Sequence, residues 1–583
     1  MIGKIMNQVR IQQGIRQSDL CQGLCSVSTL SRYENGERKP DWLLAYTLLQ
    51  RLGKSGECFT IALDLRGYDY LKWRMKIMEC LESMEMEKVE RLLKREPHYD
   101  EKNTLRKQFR LTIEALCCYK KTKDHMQSLE MLKKALCCTD ATERKKGERL
   151  QLQSVWELNL RIVMIKIEYE WRKQEQKLGH QDMRRMILEL EEIIRFFEEK
   201  YTNIKEKTKI YPNAALACMD LYAENGQYEK AVFHVQRALA LQQKAGSTKG
   251  VLLLLEGLEM GCRLQNDIRK AKKVRRQKEV LQGLSKRYHK KTEWLIYPEN
   301  QIEVHLSNES LIRERKKQQI SRDQLCGRMD LCSAITMARM ERGKNFSRRK
   351  YARMAKELGA WVEPFHCDVA VQNYETLELC ERLKEELYYG TQKKLQEYFL
   401  RLEAQLDQTV PQNRQYIDFI RVMIKYRNTE VSEQEAGQAL VSILSYTIPE
   451  ILQKGVQAAW NKTLCRQEME ILVMLAKIWR EGKKVERAAE ILQTLLCYLS
   501  ESRVDLRFHR EILSHILHQL TQCYQMLGKE AEREACGQAA VAFCVRCGIA
   551  FKEVYMLEHI VAEPGQKLNR QEKRVLYDFS KKI

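Results

Sequence analysis

The sequence contains few residues that interrupt helices. Only 8 prolines and 26 glycines occur in 583 residues, whereas leucine, glutamate, lysine, glutamine and arginine, which are strong helix formers, are abundant. Alternating runs of valine, isoleucine and threonine, which favour strands, are almost absent. The sequence therefore predicts an all-α protein, and its length predicts about three to five domains.

Long apolar segments are also missing. The nearest candidate, VLLLLEGL (251–258), is far shorter than the roughly 20 residues that cross a bilayer. The N-terminus, MIGKIMNQVRIQQG, has no continuous apolar stretch and does not resemble a secretory signal peptide. We therefore expect a cytoplasmic protein without membrane association. Its 20 cysteines are then expected to be reduced thiols that pack as small apolar side chains.

The motifs of common enzymes and metal sites are missing as well. The sequence has no phosphate-binding glycine loop, no dinucleotide fingerprint and no HExxH zinc motif. His515 and His518 lie three apart, and Cys544 and Cys547 form a single CxxC, but neither pair has the further ligands of a zinc site. We expect no catalytic residue, no metal and no cofactor, and we infer that the protein is not an enzyme.

Positive charge is what the sequence has in excess. The formal net charge is +22 and the isoelectric point is about 9.1, which indicates a polyanionic partner. The densest block, 268–291, contains eleven lysines and arginines and a single glutamate. This block is either an interaction surface for that partner or a solvated helix face.

The segment RQSDLCQGLCSVSTLSRYENGERKP (16–40) predicts two short helices joined by a tight turn. The first begins near Gln17. The second begins after the N-cap Ser26 and ends at Asn35-Gly36 in a left-handed turn. Small and basic side chains then lie on the outer face of the second helix, which is the geometry that enters a DNA major groove.

The side chains on this outer face predict DNA contacts. Small hydroxyl groups allow the backbone to approach base edges, Arg32 can reach a guanine or a phosphate, and the basic residues after the helix can reach phosphates. The expected DNA-binding residues are Gln17, Ser26, Val27, Ser28, Ser31, Arg32, Asn35, Arg38 and Lys39. The alternative is a helical hairpin that binds no DNA.

These residues resemble the Xre/Cro-type helix-turn-helix of phage repressors, in which Q-x-x-L-A is followed by S-x-x-x-[IL]-S-x-[IY]-E-x-G-x-x-x-P. The residues that fall on the pattern are Gln17, Leu20, Ser31, Glu34, Gly36 and Pro40. Two features depart from it. Cys21 replaces the usual alanine, and the turn between the helices is one residue short and lacks its glycine.

The shortened form is similar to the peptide-pheromone-responsive (RRNPP) regulators of Gram-positive bacteria, in which such a domain precedes a helical-repeat domain. The resemblance covers about a tenth of the chain. It implies a transcriptional regulator that binds double-stranded DNA and is controlled by a short signalling peptide or a protein.

A degenerate second copy of the motif lies at 320–359. Its matches to the first copy are Leu325, Cys326, Cys332, Ser333, Arg339, Glu341 and Gly343, which correspond to Leu20, Cys21, Cys25, Ser26, Arg32, Glu34 and Gly36. Its turn is longer, and Ile335 and Ala338 replace Ser28 and Ser31. The candidate DNA-binding residues of this copy are Ser333, Thr336, Arg339, Arg342 and Lys344. It reads bases, clamps the DNA backbone, or is a structural remnant; the sequence leaves these alternatives open.

Helical hairpins with tetratricopeptide-like spacing fill the regions after both copies. The clearest is 212–243, with its turn at Asn225-Gly226. Such hairpins stack into a solenoid whose concave surface recognises peptides or proteins. The predicted organisation is a helix-turn-helix domain (1–60), helical repeats (65–297), a second helix-turn-helix domain (302–360), helical repeats (374–561) and a basic C-terminal tail (562–583).

The favoured interpretation is a sequence-specific DNA-binding regulator whose repeats bind an effector or form a homodimer. The rival interpretation is a protein-interaction scaffold, or an inhibitor of a partner enzyme, in which both helix-turn-helix units are vestigial. Salt-dependent binding to a specific DNA sequence separates these interpretations.

Overall fold

The computed structural model describes residues 1–98, 100–139, 152–288, 290, 302–329, 332–343, 348–360 and 363–549. Within these ranges nearly every regular element is an α-helix. The predicted all-α class is therefore confirmed for the described part of the chain, with one correction: short strands form a small sheet. The predicted basic tail, 562–583, lies outside the described residues.

Helices α1–α4 form a compact bundle that we call the N-terminal unit. They are α1 (Ile2–Gln12), α2 (Gln17–Cys21), α3 (Val27–Glu34) and α4 (Trp42–Arg51). Asp41 caps α4, because its carboxylate accepts hydrogen bonds from the backbone N–H groups of Leu43 and Leu44. Helix α4 is buried along its whole length, and α1 and α2 pack against it.

The first stack follows the N-terminal unit and consists of helical hairpins packed in series. Its helices are α5 (Leu65–Glu82), α6 (Met86–Leu93), α7 (Thr104–Lys121), α8 (His125–Cys137), α9 (Val155–Gln174), α10 (His180–Lys200), α11 (Ile204–Lys207), α12 (Tyr211–Glu224), α13 (Tyr228–Lys244), α14 (Val251–Leu264) and α15 (Ile268–Arg287). Helices α12 and α13 form the hairpin predicted at 212–243, and Gly226 in their turn has φ +69°. This left-handed conformation favours glycine, which explains the turn signal in the sequence.

Helices α16–α19 form a second small bundle that we call the internal unit. They are α16 (Ser307–Lys317), α17 (Arg322–Met329), α18 (Ala334–Glu341) and α19 (Arg348–Leu358). Ser333 caps α18, because its side chain accepts a hydrogen bond from the backbone N–H of Thr336 at 3.3 Å.

The second stack begins after the internal unit and again consists of helical hairpins. Its helices are α20 (Tyr374–Tyr389), α21 (Gln392–Gln405), α22 (Pro411–Arg427), α23 (Glu433–Leu444), α24 (Ile451–Lys454), α25 (Arg466–Glu481), α26 (Val485–Ser500), α27 (Arg510–Met526) and α28 (Glu530–Cys547), with 3₁₀ helices at Val456–Asn461 and Leu506–His509. Ser432 and Glu435 form a capping box at the start of α23.

A small sheet connects segments that are distant in sequence. Its strands are β1 (Thr60–Leu63), β2 (Glu303–Leu306) and β3 (Phe365–His366). The central strand, β1, runs parallel to β2 and antiparallel to β3. Because β1 follows the N-terminal unit, β2 precedes the internal unit and β3 follows it, the sheet ties the two units to a common centre.

The two small bundles differ in how their apolar cores are connected to the rest of the molecule. One continuous core runs through the N-terminal unit, the sheet and both stacks, whereas the internal unit has a smaller core of its own. Polar contacts attach the internal unit to the second stack. Lys317 pairs with Glu450 at 2.9 Å, and the Arg313 guanidinium lies 4.0 Å from the ring centroid of Tyr498.

Most of the cysteines pack as the sequence predicts, but Cys137 and Cys497 are exposed. All 20 are free thiols, and several, such as Cys218 and Cys262, are fully enclosed in helix contacts. Burial raises the pKa of the Cys544 thiol to about 12, so this thiol stays protonated and apolar in its environment. None of the described helices has the length and the apolar character that crossing a membrane requires.

Candidate nucleic-acid interface

Helix α3 carries the outward-facing side chains of the N-terminal unit. Ser26 caps it, because Ser26 Oγ accepts a hydrogen bond from the backbone N–H of Thr29 at 3.2 Å. Leu30 is fully buried and Tyr33 is 7% exposed, so these side chains hold α3 against the rest of the unit. The opposite face of α3 is left open.

Most of the predicted contact residues lie on or beside this open face. The exposed ones are Ser26, Val27, Ser28, Arg32, Asn35 and Arg38, and the half-buried ones are Gln17, Ser31 and Lys39. Within the described part of the chain, the guanidinium groups of Arg32 and Arg38 form no hydrogen bond or ion pair. Both groups can therefore reach a phosphate or a base edge without breaking an existing contact.

The hydroxyl groups of Ser26 and Ser28 hydrogen-bond to each other at 3.0 Å, and two further predicted contact residues have partners elsewhere in the protein. The Gln17 side-chain amide donates to Glu34 Oε2 at 2.6 Å, and the Lys39 ammonium pairs with Glu363 Oε1 at 2.7 Å. The side chains of Lys39 and Glu363 are 36% and 47% exposed, so this ion pair contributes little to stability and Lys39 can exchange its partner for a phosphate. Gln17 instead belongs to a more buried group of polar side chains.

That buried group fixes α3 to α1. Arg10 donates from Nε and Nη2 to the two carboxylate oxygens of Glu34, at 2.6 and 2.8 Å, and from Nη1 to the carbonyl oxygen of Ile15 at 2.9 Å. Glu34 is 3% exposed. A buried, doubly hydrogen-bonded arginine–carboxylate pair is geometrically specific, so it sets the orientation of the open face.

The turn between α2 and α3 contains a glycine, and the prediction that it lacks one was wrong. Gly23 has φ +71°, a conformation that favours glycine. A Cβ atom there would lie 2.1 Å from the carbonyl oxygen of Thr139. The turn therefore packs directly on the backbone that follows α8, a contact that the spacing of the motif does not reveal.

Arg51 joins this turn to the first stack, and sequence reasoning missed it. Its Nη1 donates to the carbonyl oxygens of Leu20 and Gln22 at 3.2 and 2.6 Å, and its Nη2 donates to Thr139 O at 2.9 Å and Glu157 Oε1 at 2.7 Å. Burial alone would raise the pKa of Glu157, but the Arg51 guanidinium lowers it to about 2. The last helix of the N-terminal unit thus connects the turn before α3 to the start of α9.

The internal unit repeats the polar contacts of the N-terminal unit. Arg315 donates from Nε to Glu341 Oε1 at 2.6 Å and from Nη1 to the carbonyl oxygen of Ile320 at 2.7 Å. Arg322 takes the place of Gln17, because its Nε donates to Glu341 Oε2 at 2.7 Å. An arginine–glutamate pair therefore holds α18 to α16, as one holds α3 to α1.

The candidate contact residues of the internal unit lie on the outer side of α18. Ser333, Arg339 and Arg342 are exposed and Thr336 is half-buried, whereas Lys344 lies outside the described residues. Ile335 is 68% exposed at the place that corresponds to Ser28. The open face of α18 is therefore basic like that of α3, but more apolar at its first turn.

Helix α15 presents the basic block seen in the sequence. Arg275 and Lys278 pair with Glu259 at 2.8 and 2.7 Å. Other basic side chains remain exposed and, among the described residues, without an ion pair: Arg269, Lys272, Lys273 and Arg276. Their spacing places these four on one face of the helix, which forms a positively charged stripe.

A groove on the first stack is lined by α7, α9, α12 and α14. Its cavity measures about 260 Å³. Leu216, Met219 and Met260 supply apolar surface, and Asp220 and Lys120 supply opposite charges. Burial raises the pKa of Asp220 and lowers that of Lys120, so both charged groups are incompletely solvated.

Neither candidate metal motif forms a metal site in the described part of the chain. No group of three or more histidine, cysteine, aspartate or glutamate side chains there is arranged to hold a metal ion. Cys544 and Cys547 are buried in α28, and Cys544 Sγ lies 3.6 Å from Ser514 Oγ.

Comparison with known families identifies the N-terminal unit. Residues 6–57 match the family described as helix-turn-helix, and they include α2, the turn and α3. The resemblance of this segment to Xre-type domains is therefore confirmed, and the N-terminal unit is a helix-turn-helix domain. No curated protein matches the chain.

One similar solved structure is that of PlcR from Bacillus thuringiensis, determined in complex with the peptide PapR7 and DNA. The sequence identity is 15%, and the similarity covers 47% of this chain and 93% of that chain with a TM-score of 0.28. A TM-score of this size is too low to establish a shared fold.

Proposed function

We propose that the protein is a sequence-specific DNA-binding transcriptional regulator. The observation that carries the proposal is the open face of α3, where small side chains surround two unpaired guanidinium groups, Arg32 and Arg38. A helix of this kind fits the major groove, where arginine recognises guanine and small side chains allow close approach. The net charge of +22 supplies the attraction to phosphates that such binding requires.

The internal unit is, in this proposal, a second helix-turn-helix domain that arose by duplication. Support comes from the matching set of contacts around Glu34 and Glu341 and from the matching N-caps Ser26 and Ser333. Its exposed Arg339 and Arg342 face a DNA backbone or base edge, as Arg32 does in the N-terminal unit.

The groove on the first stack is the proposed effector site. Its apolar surface and its incompletely solvated charges, Asp220 and Lys120, suit a short peptide with apolar side chains and a charge of each sign. The resemblance to peptide-responsive regulators implies the same class of ligand. Effector binding between α9 and α12 would reach the turn before α3 through Glu157 and Arg51.

Recovery of genomic DNA on the purified full-length protein, followed by sequencing, tests this function. We expect a small number of loci that share one sequence motif, and we expect the Arg32→Ala variant to enrich these loci more weakly. If the protein recovers only random fragments, or none, then the scaffold interpretation with vestigial helix-turn-helix units is the correct one.

A further inference from the structure

Strand β1 pairs with its own counterpart from the other half of the chain. The segments GKSGECF and GAWVEPF end at Phe59 and Phe365, so the next residues, Thr60 and His366, correspond to each other. In the antiparallel pairing of β1 with β3, Thr60 lies directly opposite His366. When two corresponding segments pair antiparallel and a residue lies opposite its own counterpart, a local twofold axis passes between those two residues.

A second pairing of this kind connects the two stacks. Helices α13 and α28 correspond in the two stacks, because each lies between two left-handed glycines. Gly226 and Gly528 precede them with φ +69° and +68°, and Gly246 and Gly548 follow them with φ +61° and +69°. The next residues, Ser247 and Ile549, form an antiparallel bridge with each other, and the backbone N–H of Thr248 donates to Gly548 O at 3.0 Å. Counterparts therefore meet at two places, which is the arrangement that a pseudo-twofold axis between the halves produces.

Buried contacts fix the halves to each other across this axis. The Tyr374 hydroxyl donates to the carbonyl oxygen of Ser55 and accepts from its N–H, both at 2.8 Å. On the other side, the Tyr68 hydroxyl accepts from the backbone N–H of Asp505 at 2.7 Å. With the continuous core, these contacts set the relation of the two units when one chain folds.

The shared strand leaves no free edge for a further copy of the protein. Strand β1 has β2 on one side and β3 on the other, so both of its edges are already hydrogen-bonded. Two identical subunits could associate by pairing their β1 strands across a twofold axis. In the described part of the chain, β1 instead pairs with β3 of the same subunit.

We propose that one chain binds one DNA site as a fused pseudo-dimer, with its N-terminal and internal units on two half-sites of different sequence. This inference rests on the proposed DNA-binding function. Two reading units related by a twofold axis bind half-sites about one helical turn apart, or a multiple of that spacing. Identical units require an inverted repeat, and the two units of this chain are not identical.

The side chains on the two open faces predict how the half-sites differ. Ser28 on α3 corresponds to Ile335 on α18, and Asn35 corresponds to Arg342. An exposed isoleucine at the first turn of a reading helix contacts the C5-methyl group of thymine, which serine does not favour. The internal unit is therefore expected to select thymine at one position and to hold its half-site by additional phosphate contacts.

The mass of the complex tests the stoichiometry directly. Full-length protein is mixed with the duplex recovered from genomic DNA and studied by analytical ultracentrifugation. One chain per duplex on an asymmetric site supports the fused pseudo-dimer, and two chains on a perfect inverted repeat overturn it. If no specific duplex is recovered at all, the proposed function fails before the stoichiometry is measured, so the two failures are distinguishable.

Replacement of thymine by uracil, which removes only the methyl group, tests the role of Ile335. In one half-site this replacement should weaken binding about threefold to fivefold, as expected for the burial of about one methyl group. The effect should disappear in Ile335→Ser and persist in Ser28→Ala, the matched control in the other unit. Equal sensitivity of all three proteins to uracil would overturn the assignment.

Discussion

At the scale of single residues, Arg32 and Arg38 have similar surroundings but different expected roles. Both guanidinium groups are exposed and unpaired among the described residues, but Arg32 lies within α3 and Arg38 lies after it. We expect Arg32→Ala to cost about 1–3 kcal/mol on the cognate site, because a bidentate contact with guanine is lost. Competition gel shifts with cognate and altered duplexes measure this loss.

The Arg38→Ala variant is the matched control for that experiment. Loss of a phosphate contact should weaken binding to all duplexes by the same factor and leave their ranking unchanged. If Arg32→Ala retains both the affinity and the ranking of the wild type, the assignment of α3 as the reading helix is wrong.

A second prediction at the residue scale concerns the pH dependence of the buried Arg51–Glu157 pair. Because the folded-state pKa of Glu157 is lowered to about 2 from an ordinary value of 4.5, its contribution to stability is complete above about pH 4.5. That contribution is lost as the pH falls from 4.5 through 2. Without Arg51, burial raises the pKa of Glu157 instead.

The Arg51→Met variant should therefore be destabilised most at neutral pH, by about 3–5 kcal/mol, since it leaves a buried carboxylate unpaired. The difference from the wild type should begin to shrink above pH 4.5, because the raised pKa lets the carboxyl group of the variant take up a proton there, and it should shrink further between pH 4.5 and 2 as the wild type loses its own contribution. Amide hydrogen exchange of the turn between α2 and α3 measures the local effect. A difference that is constant from pH 7 to pH 3 would show that the pair does not stabilise this turn.

The residues around α3 show why the sequence predicts only part of the candidate DNA-binding site. The spacing of Leu30 and Tyr33 identifies the inner face of α3, because helical periodicity is a local property. Arg51 and Glu157 are far apart in sequence, and nothing local indicates that either residue is buried or paired. Gly23 was missed for a similar reason, because its close contact is with Thr139.

At the scale of elements, the basic stripe on α15 carries a prediction about salt. If Arg269, Lys272, Lys273 and Arg276 contact phosphates, their replacement by glutamine should weaken binding to every duplex. The slope of log affinity against log salt should flatten by about 0.9 per lost contact. Fluorescence anisotropy over a series of salt concentrations measures this slope.

Lys393 and Lys394 on α21, which are also exposed, provide the control for the loss of charge alone. Their replacement by glutamine should leave the slope unchanged. An equal effect per charge in both variants would mean that α15 acts only through the net charge of the protein and is otherwise a solvated face.

The elements themselves were mostly predictable, with the exception of the sheet. The helices of the clearest repeat and the turn at Asn225-Gly226 follow from apolar periodicity and from a glycine signal, and the structure has both. Strand β1 has four residues and β3 has two, which is too short for an alternating pattern to stand out from helical sequence. Their pairing depends on contacts between distant segments, which a single sequence does not reveal.

At the scale of the whole molecule, the sequence predicts two copies of a motif but not their relation in space. The self-pairing of Thr60 with His366 and of Ser247 with Ile549 arises only when the two halves pack. An internal repeat is equally compatible with units that point in unrelated directions, as in a linear array. The pseudo-twofold relation that we infer is thus a property of tertiary structure, and together with the proposed duplication it makes the chain a candidate for binding a single asymmetric DNA site.

The ratio of two affinities measures whether the N-terminal unit recognises a DNA sequence. The wild-type protein is titrated with the duplex recovered from genomic DNA and with a scrambled duplex of equal length, both near physiological salt. We expect a preference of about a thousandfold or more for the recovered duplex. We also expect Arg32→Ala to reduce this preference about fivefold to 150-fold, which corresponds to the roughly 1–3 kcal/mol of the lost guanine contact. A wild-type preference near one, at any salt concentration that permits binding, would show that the N-terminal unit does not recognise a sequence.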